Sequence, residues 1–160
     1  MLPPPPKKKQ KEMKQEEKQT MIERIVSRYV SMNERDYANG ILDMKVKDDC
    51  NNFANAFGRI LSNISDESLG KFYKASRKLQ EKVFAYDSAC WAATVMSRPY
   101  VQNSYNAVIA NMKDEGLDKV DFVMEIMTRH LDNLKSMLDA EFIDLGNGAF
   151  AYAGLNGAMI

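Results

Sequence analysis

The chain has 160 residues, 45% of them hydrophobic, which suits a single domain with a substantial core. Lysine plus arginine and aspartate plus glutamate number 22 each, so bulk charge drives the chain onto neither nucleic acid nor a membrane; any such affinity has to come from local asymmetry. No apolar run approaches the roughly 18–20 residues that cross a bilayer, and the opening MLPPPPKKKQK has no apolar core of a secretory leader, so a place inside a cell or a virus particle is expected, with no membrane partner and no secretion. Cys50 and Cys90 then read as free thiols in a reducing compartment.

Residues 1–20 read as a basic, Pro/Lys-rich arm. Prolines exclude a helix before about residue 6, and the side chains up to Lys11 carry +4, from Lys7, Lys8, Lys9 and Lys11. The arm is either a solubilising extension or an electrostatic handle for nucleic acid or an acidic partner. Good helix formers without an apolar stripe follow it, as in a frayed lead-in to a helix.

Residues 21–145 read as a helical domain. Ile22, Ile25, Val26, Tyr29 and Met32 mark a first amphipathic helix over 21–32, and Asn39-Gly40 marks a turn. Leu42, Met44 and Val46 alternate with charged residues, which predicts a short strand or an extended linker. Phe53, Ala54, Phe57, Ile60 and Leu61 predict a helix over 49–62. Ser65 is the N-cap of a third, with Asp66 and Glu67 at its positive end. Leu69, Phe72, Ser76, Leu79, Val83, Tyr86, Cys90 and Ala93 keep a 3-4 spacing, so this helix is expected to run unbroken over 66–96 until Pro99 ends it. Val101, Tyr105, Val108, Ile109 and Met112 predict a shorter helix over 101–112.

Residues 117–142 carry the most regular pattern. Leu117, Val120, Met124, Met127, Leu131, Leu134 and Leu138 form a helical seam, widened by Val123, His130 and Met137. Asp118 is placed to cap it, Leu117 and Phe122 to staple its start, and Gly146 to stop it. The implied helix is roughly 40 Å long, enough to span the domain. Residues 146–160 are uncharged and repeat Asn-Gly-Ala: Asn147-Gly148-Ala149-Phe150 and Asn156-Gly157-Ala158-Met159. Phe150 and Tyr152 alternate with alanines, as in a short strand, and so apolar a tail either folds back on its own bundle or docks on a neighbouring subunit or another protein.

No catalytic set, phosphate-binding glycine loop, metal-ligand cluster or cofactor motif is present, so a non-enzymatic protein is expected. His130 alone, on the flank of that helix, is either a general base or, more simply, a packing or surface residue. Cys90, on the apolar side of its helix, reads as a buried thiol. The eleven methionines read as core filler or as an adaptable binding face. Lys71, Lys74, Lys78 and Lys82 fall within roughly 80° on one unbroken helix. They make either a solvated face, a phosphate-contacting face, or a partner for the acidic helix that holds Asp118, Asp121, Glu125, Asp132, Asp139 and Glu141. A helix-turn-helix over 53–80 is opposed by the length and core character of its second helix.

The expected fold is mainly α: a bundle of four to five helices around a long C-terminal helix, with at most a short strand element near Leu42 or Phe150. The expected function is that of a structural or interaction protein, a self-associating subunit that docks on copies of itself or on other proteins through Phe150, Tyr152, Leu155, Met159 and Ile160 and a methionine-rich helix face. A coat or assembly component of a virus or phage fits that outline. The alternative is a nucleic-acid-binding protein that uses Lys7, Lys8, Lys9 and Lys11 together with Lys71, Lys74, Lys78 and Lys82.

Overall fold

Helix α2 (Met44–Ser62) lies at the middle of the bundle. Its Phe53, Ala54, Ala56, Phe57, Ile60 and Leu61 are all buried, more than one stripe of its surface, as a helix with neighbours on several sides requires. The computed structural model describes residues 13–42, 44–94, 98–140, 142–146 and 149–152. Helices α1 (Gln15–Ala38), α4 (Arg77–Thr94) and α6 (Asp121–Ala140) pack on α2, α3 (Asp66–Lys74) packs on α6 and α1, and α5 (Arg98–Asp114) packs on α4 and on a 3-10 turn at Leu117–Lys119. The chain then forms an antiparallel ribbon of β1 (Phe142–Gly146) and β2 (Ala149–Tyr152). The fold is a mainly α helical bundle.

The core forms where the apolar faces meet. Tyr29, Phe57, Phe72 and Phe84, one ring from each of α1 to α4, cluster with centroids 4.7–6.0 Å apart. Such pairs add about 0.5–1.5 kcal/mol each beyond the area they bury. Helices α1 and α2 approach closely at Gly58, where a Cβ would stand 2.9 Å from Val26 Cγ2. Gly40 and Gly116 hold φ of 74° and 78° in the turns after α1 and α5, a backbone region open to glycine at little cost.

Several expectations are corrected. Helix α1 starts at Gln15, inside the stretch assigned to the arm, and runs through the polar residues 33–36; at 24 residues it is longer than α6, at 20. The bundle is therefore not built around its C-terminal helix. Residues 44–46 begin α2 rather than a strand, because no strand lies beside them to satisfy their backbone, whereas helix satisfies it locally. The third helix is two helices. Ala75 is extended, with ψ of 157°, and Ser76 accepts from the Leu79 amide at 3.1 Å to start α4. Asp118 lies in the 3-10 turn, and α6 begins at Asp121. The face of α6 turned to the core is Val123, Ile126, Met127, His130 and Leu134, while Val120, Met124 and Leu131 are half-buried, so the presumed flank is the centre. Phe142 and Gly146 belong to β1, not to the end of a helix.

Helix α5 opens at Arg98 with Pro99 in its first turn, where a missing amide proton costs nothing. Tyr105, Val108 and Met112 are buried as expected, and Ile109 is half-buried.

Candidate functional site

The four lysines of the expected stripe do not share a helix. Lys71 and Lys74 close α3, and Lys78 and Lys82 lie in the first turns of α4, past the break. Lys71 pairs with Glu67 at 3.1 Å and Lys82 with Glu115 at 3.2 Å. Neither reaches an acidic residue of α6 in these pairs, so the expected pairing of basic and acidic helices is not what joins them. Glu125 of α6 goes instead to the start of α3: it accepts from the Ser65 amide at 2.8 Å and from the Ser65 hydroxyl at 3.0 Å. Lys7, Lys8, Lys9 and Lys11 lie outside the described residues.

Of the residues expected to self-associate, Phe150 and Tyr152 are in β2, and Leu155, Met159 and Ile160 lie outside the described residues. In the ribbon Phe142 faces Tyr152, Ile143 faces Ala151 and Asp144 faces Phe150, with a bulge before the Gly146–Ala149 pair. Among the described residues the sheet has two strands, so within them each strand has one edge unpaired. Met127 is fully buried and Met124 half-buried, so that stretch of α6 fills the core and does not present a methionine-rich docking face.

His130 is not an exposed base. It is completely buried on α6, with Nδ1 against Oδ1 of Asp87, itself completely buried on α4. The Tyr29 hydroxyl donates to Asp87 Oδ2 at 2.9 Å and meets Ser88 Oγ at 2.5 Å. The Trp91 ring lies 5.4 Å from the imidazole. Burial, then the charge of Asp87, pushes the Tyr29 phenol well above its ordinary range, so it acts here as a donor. The hydroxyl of Tyr105 on α5 donates to the Met127 carbonyl at 3.2 Å beside this group. The cluster ties α1, α4 and α6 together, Asp87 and His130 have no exposed surface, and His130 Nε2 has no hydrogen-bond partner among the described residues. Cys50 and Cys90 are both buried thiols, as expected for Cys90, and neither forms a disulfide. Among the described residues no group of histidine, cysteine and carboxylate side chains is placed to hold a metal, and no helix is long and apolar enough to cross a membrane.

A basic face that the lysine pattern does not include lies on α1. Arg24, Arg28 and Arg35 are spaced 4 and 7 apart, so they share one side of the helix. This side faces the elbow between α3 and α4. Arg24 Nη1 donates to the Tyr73 hydroxyl at 2.8 Å. Arg28 stands 4.8 Å over the Tyr73 ring and donates from Nη1 to the Tyr73 carbonyl at 3.4 Å and to Gln80 Oε1 at 3.3 Å. Arg35 pairs with Asp36 at 3.2 Å and with Glu81. Arg77, at the start of α4, joins Arg28, Arg35, Ser31 and Glu81 around a concavity of about 130 Å³. The hydrogen bond from Arg24, and then the charges of Arg24 and Arg28, hold the Tyr73 phenol below its usual value. The signal was in the sequence as the 24-28-35 spacing, but it was not separable from an ordinary solvated helix face until the elbow was placed opposite it.

Comparison with known proteins finds no match: no protein-family model, no curated protein and no solved structure is similar to this chain. The functional reading therefore rests on the chain's own chemistry.

Proposed function

We propose that this is a non-enzymatic interaction protein, a self-associating subunit of a larger assembly, whose C-terminal ribbon and uncharged tail join a second copy. The observation that carries this reading is the ribbon itself. Two strands alone are marginal in water, and among the described residues each leaves an edge of backbone donors and acceptors unpaired within the sheet. Strand addition from a neighbour satisfies such an edge and buries the apolar residues of 146–160, a stretch with no charged side chain. The sealed Tyr29–Asp87–His130 cluster supports the non-enzymatic reading, since its polar atoms face inward. A coat or assembly component of a virus particle is the finer form of the proposal, with a place inside a cell or particle.

The test is light scattering after size exclusion, on the full chain and on the chain lacking 146–160, at low and high salt. A salt-resistant oligomer that dissociates on deletion supports the reading. An unchanged mass distribution with the helical fold intact overturns it.

A second reading, nucleic-acid binding, is favoured by the basic face between α1 and the α3–α4 elbow and by the +4 arm that precedes α1. Salt separates the two: phosphate contacts weaken steeply as ionic strength rises, whereas apolar docking persists.

A further inference from the structure

We propose that Arg24 and Arg28 of α1, with Lys74, Arg77 and Lys78 at the α3–α4 elbow, form a groove, walled at one end by the ion-paired Arg35, that binds the phosphodiester backbone of single-stranded nucleic acid. The proposal deepens the nucleic-acid reading above and moves its centre away from the lysine stripe.

The first argument is charge that the fold brings together and does not neutralise. Among the described residues Arg24, Arg28, Lys74 and Arg77 enter no ion pair. The carboxylates beside the concavities here, Asp36 and Glu81, are both held by Arg35. Helix α4 opens with Arg77 and Lys78 and has no acidic residue in its first turn, so two cations sit at the end of a helix where anions are favoured. Like charges gathered this way repel one another, and a polyanion laid across them relieves that repulsion.

The second argument is shape and residue type. Arg24 to Arg35 covers eleven residues of helix, about 16 Å of length, which is enough to follow several successive phosphates of one strand. Arginine offers forked donors that match phosphate oxygens, and here Arg24 and Arg28 are held in place by Tyr73 rather than by carboxylates. The half-buried Tyr73 ring adds an aromatic group within the row of cations, the combination that single-strand grooves use. The concavity of about 130 Å³ between Arg28, Arg35 and Arg77 is of a size for a phosphate group but not for a folded protein segment. An acidic peptide would match the charge, but carboxylates at every position of a helix-length row are a narrower requirement than a repeating backbone.

The experiment is fluorescence anisotropy of a labelled 20-nucleotide single strand with the full chain, over a salt series. The variants are Lys74→Gln with Arg77→Gln, both exposed and outside any described ion pair, and Lys119→Gln as a control away from the groove. The double variant is expected to bind at least about tenfold more weakly at low salt, and to reduce the salt slope by about 1.4 for two lost phosphate contacts to a single strand. The control should bind as the natural chain does. Binding unchanged in the double variant, or weakened equally by the control, overturns the proposal. Displacement of the strand by millimolar inorganic phosphate at constant ionic strength also overturns it, because the site would then take a small anion. So does a double variant weakened only for an acidic peptide. Scattering of the same samples without nucleic acid reports the oligomer separately, so failure of the groove and failure of tail-driven assembly are distinguishable.

Discussion

Glu125 of α6 caps the start of α3 by accepting from both the amide and the hydroxyl of Ser65, at 2.8 and 3.0 Å. In a local capping box the third helical residue of α3 would supply that carboxylate. Here that residue is Ser68, and its own hydroxyl also goes to Glu125. One carboxylate from a distant helix therefore closes the end of α3 and ties it to α6. Burial alone would push Glu125 upward, but the bonds from Ser68 and Ser65 outweigh it and hold the carboxyl below its ordinary value. Glu125→Gln should cost about 1–2 kcal/mol, the range of a lost cap and a weakened charged hydrogen bond. The sign with pH follows. The folded state binds this proton less readily than the unfolded chain, so the contribution is present above the ordinary pKa of 4.5 and is lost as pH falls through the lower folded value. Thermal melts should show a gap between natural and variant protein at pH 7 that narrows below pH 4. A gap that stays constant to acid would refute the assignment.

The break between α3 and α4 depends on Gln80. Its buried side-chain amide donates to the Phe72 carbonyl at 2.7 Å, beside the Ala75 amide that closes α3, and to the Tyr73 carbonyl at 3.2 Å, beside Arg28. Gln80→Leu keeps the volume but removes one of two donors from each carbonyl and the side-chain acceptor of Arg28, so a loss of about 1–2 kcal/mol is expected by urea unfolding. Arg24→Gln, which loses a hydrogen bond on the exposed side of Tyr73, should cost far less. Equal losses would place the elbow's stability elsewhere.

The buried cluster makes a sharper demand. Tyr29→Phe removes the donor to Asp87 Oδ2 in a site with no water contact, and should cost about 1–3 kcal/mol. Asp87→Ala removes both the acceptor of the Tyr29 hydroxyl and the carboxylate against His130 Nδ1, so it should cost more than Tyr29→Phe. Urea midpoints at unchanged slope are the readout. A near-neutral Asp87→Ala would mean that the pair contributes no net stability.

The helical class was legible in the sequence because apolar spacing alone decides it, and Ser65 was legible as a cap because capping is local. The break at Ala75–Ser76 was not. No proline or glycine marks it, and the 3-4 pattern continues across it from Phe72 to Leu79. What ends α3 is a side chain from the following helix together with Arg28 from α1, and such tertiary partners leave no local trace. The inward position of His130 was readable, but its partner Asp87 was not, because charged residues on a helix read as solvated until another helix covers them. For the same reason the lysine spacing reads as one helix face, and the arginines of α1 across from it read as an ordinary solvated face.

The thiols provide a test of the core that needs no variant. Burial, followed by nearby Asp49 and Asp36, pushes Cys50 to about 11. Burial, followed by Asp87, pushes Cys90 to about 12. The thiolate is the reacting form, so at pH 8 both should resist a thiol-specific reagent in the native protein, with Cys50 reacting first and both reacting at once in denaturant. The linkage points the same way. Because the folded thiols hold their protons more tightly than unfolded ones, their contribution is fully present below the ordinary value of 9.0 and is lost as pH rises toward 11 and then 12. Stability measured between pH 9 and 11 should therefore fall, and Cys90→Ala should flatten part of that fall even though the variant starts from a lower stability. Rapid native labelling of Cys90 would show that α4 opens away from α1 and α6 more readily than the sealed cluster allows.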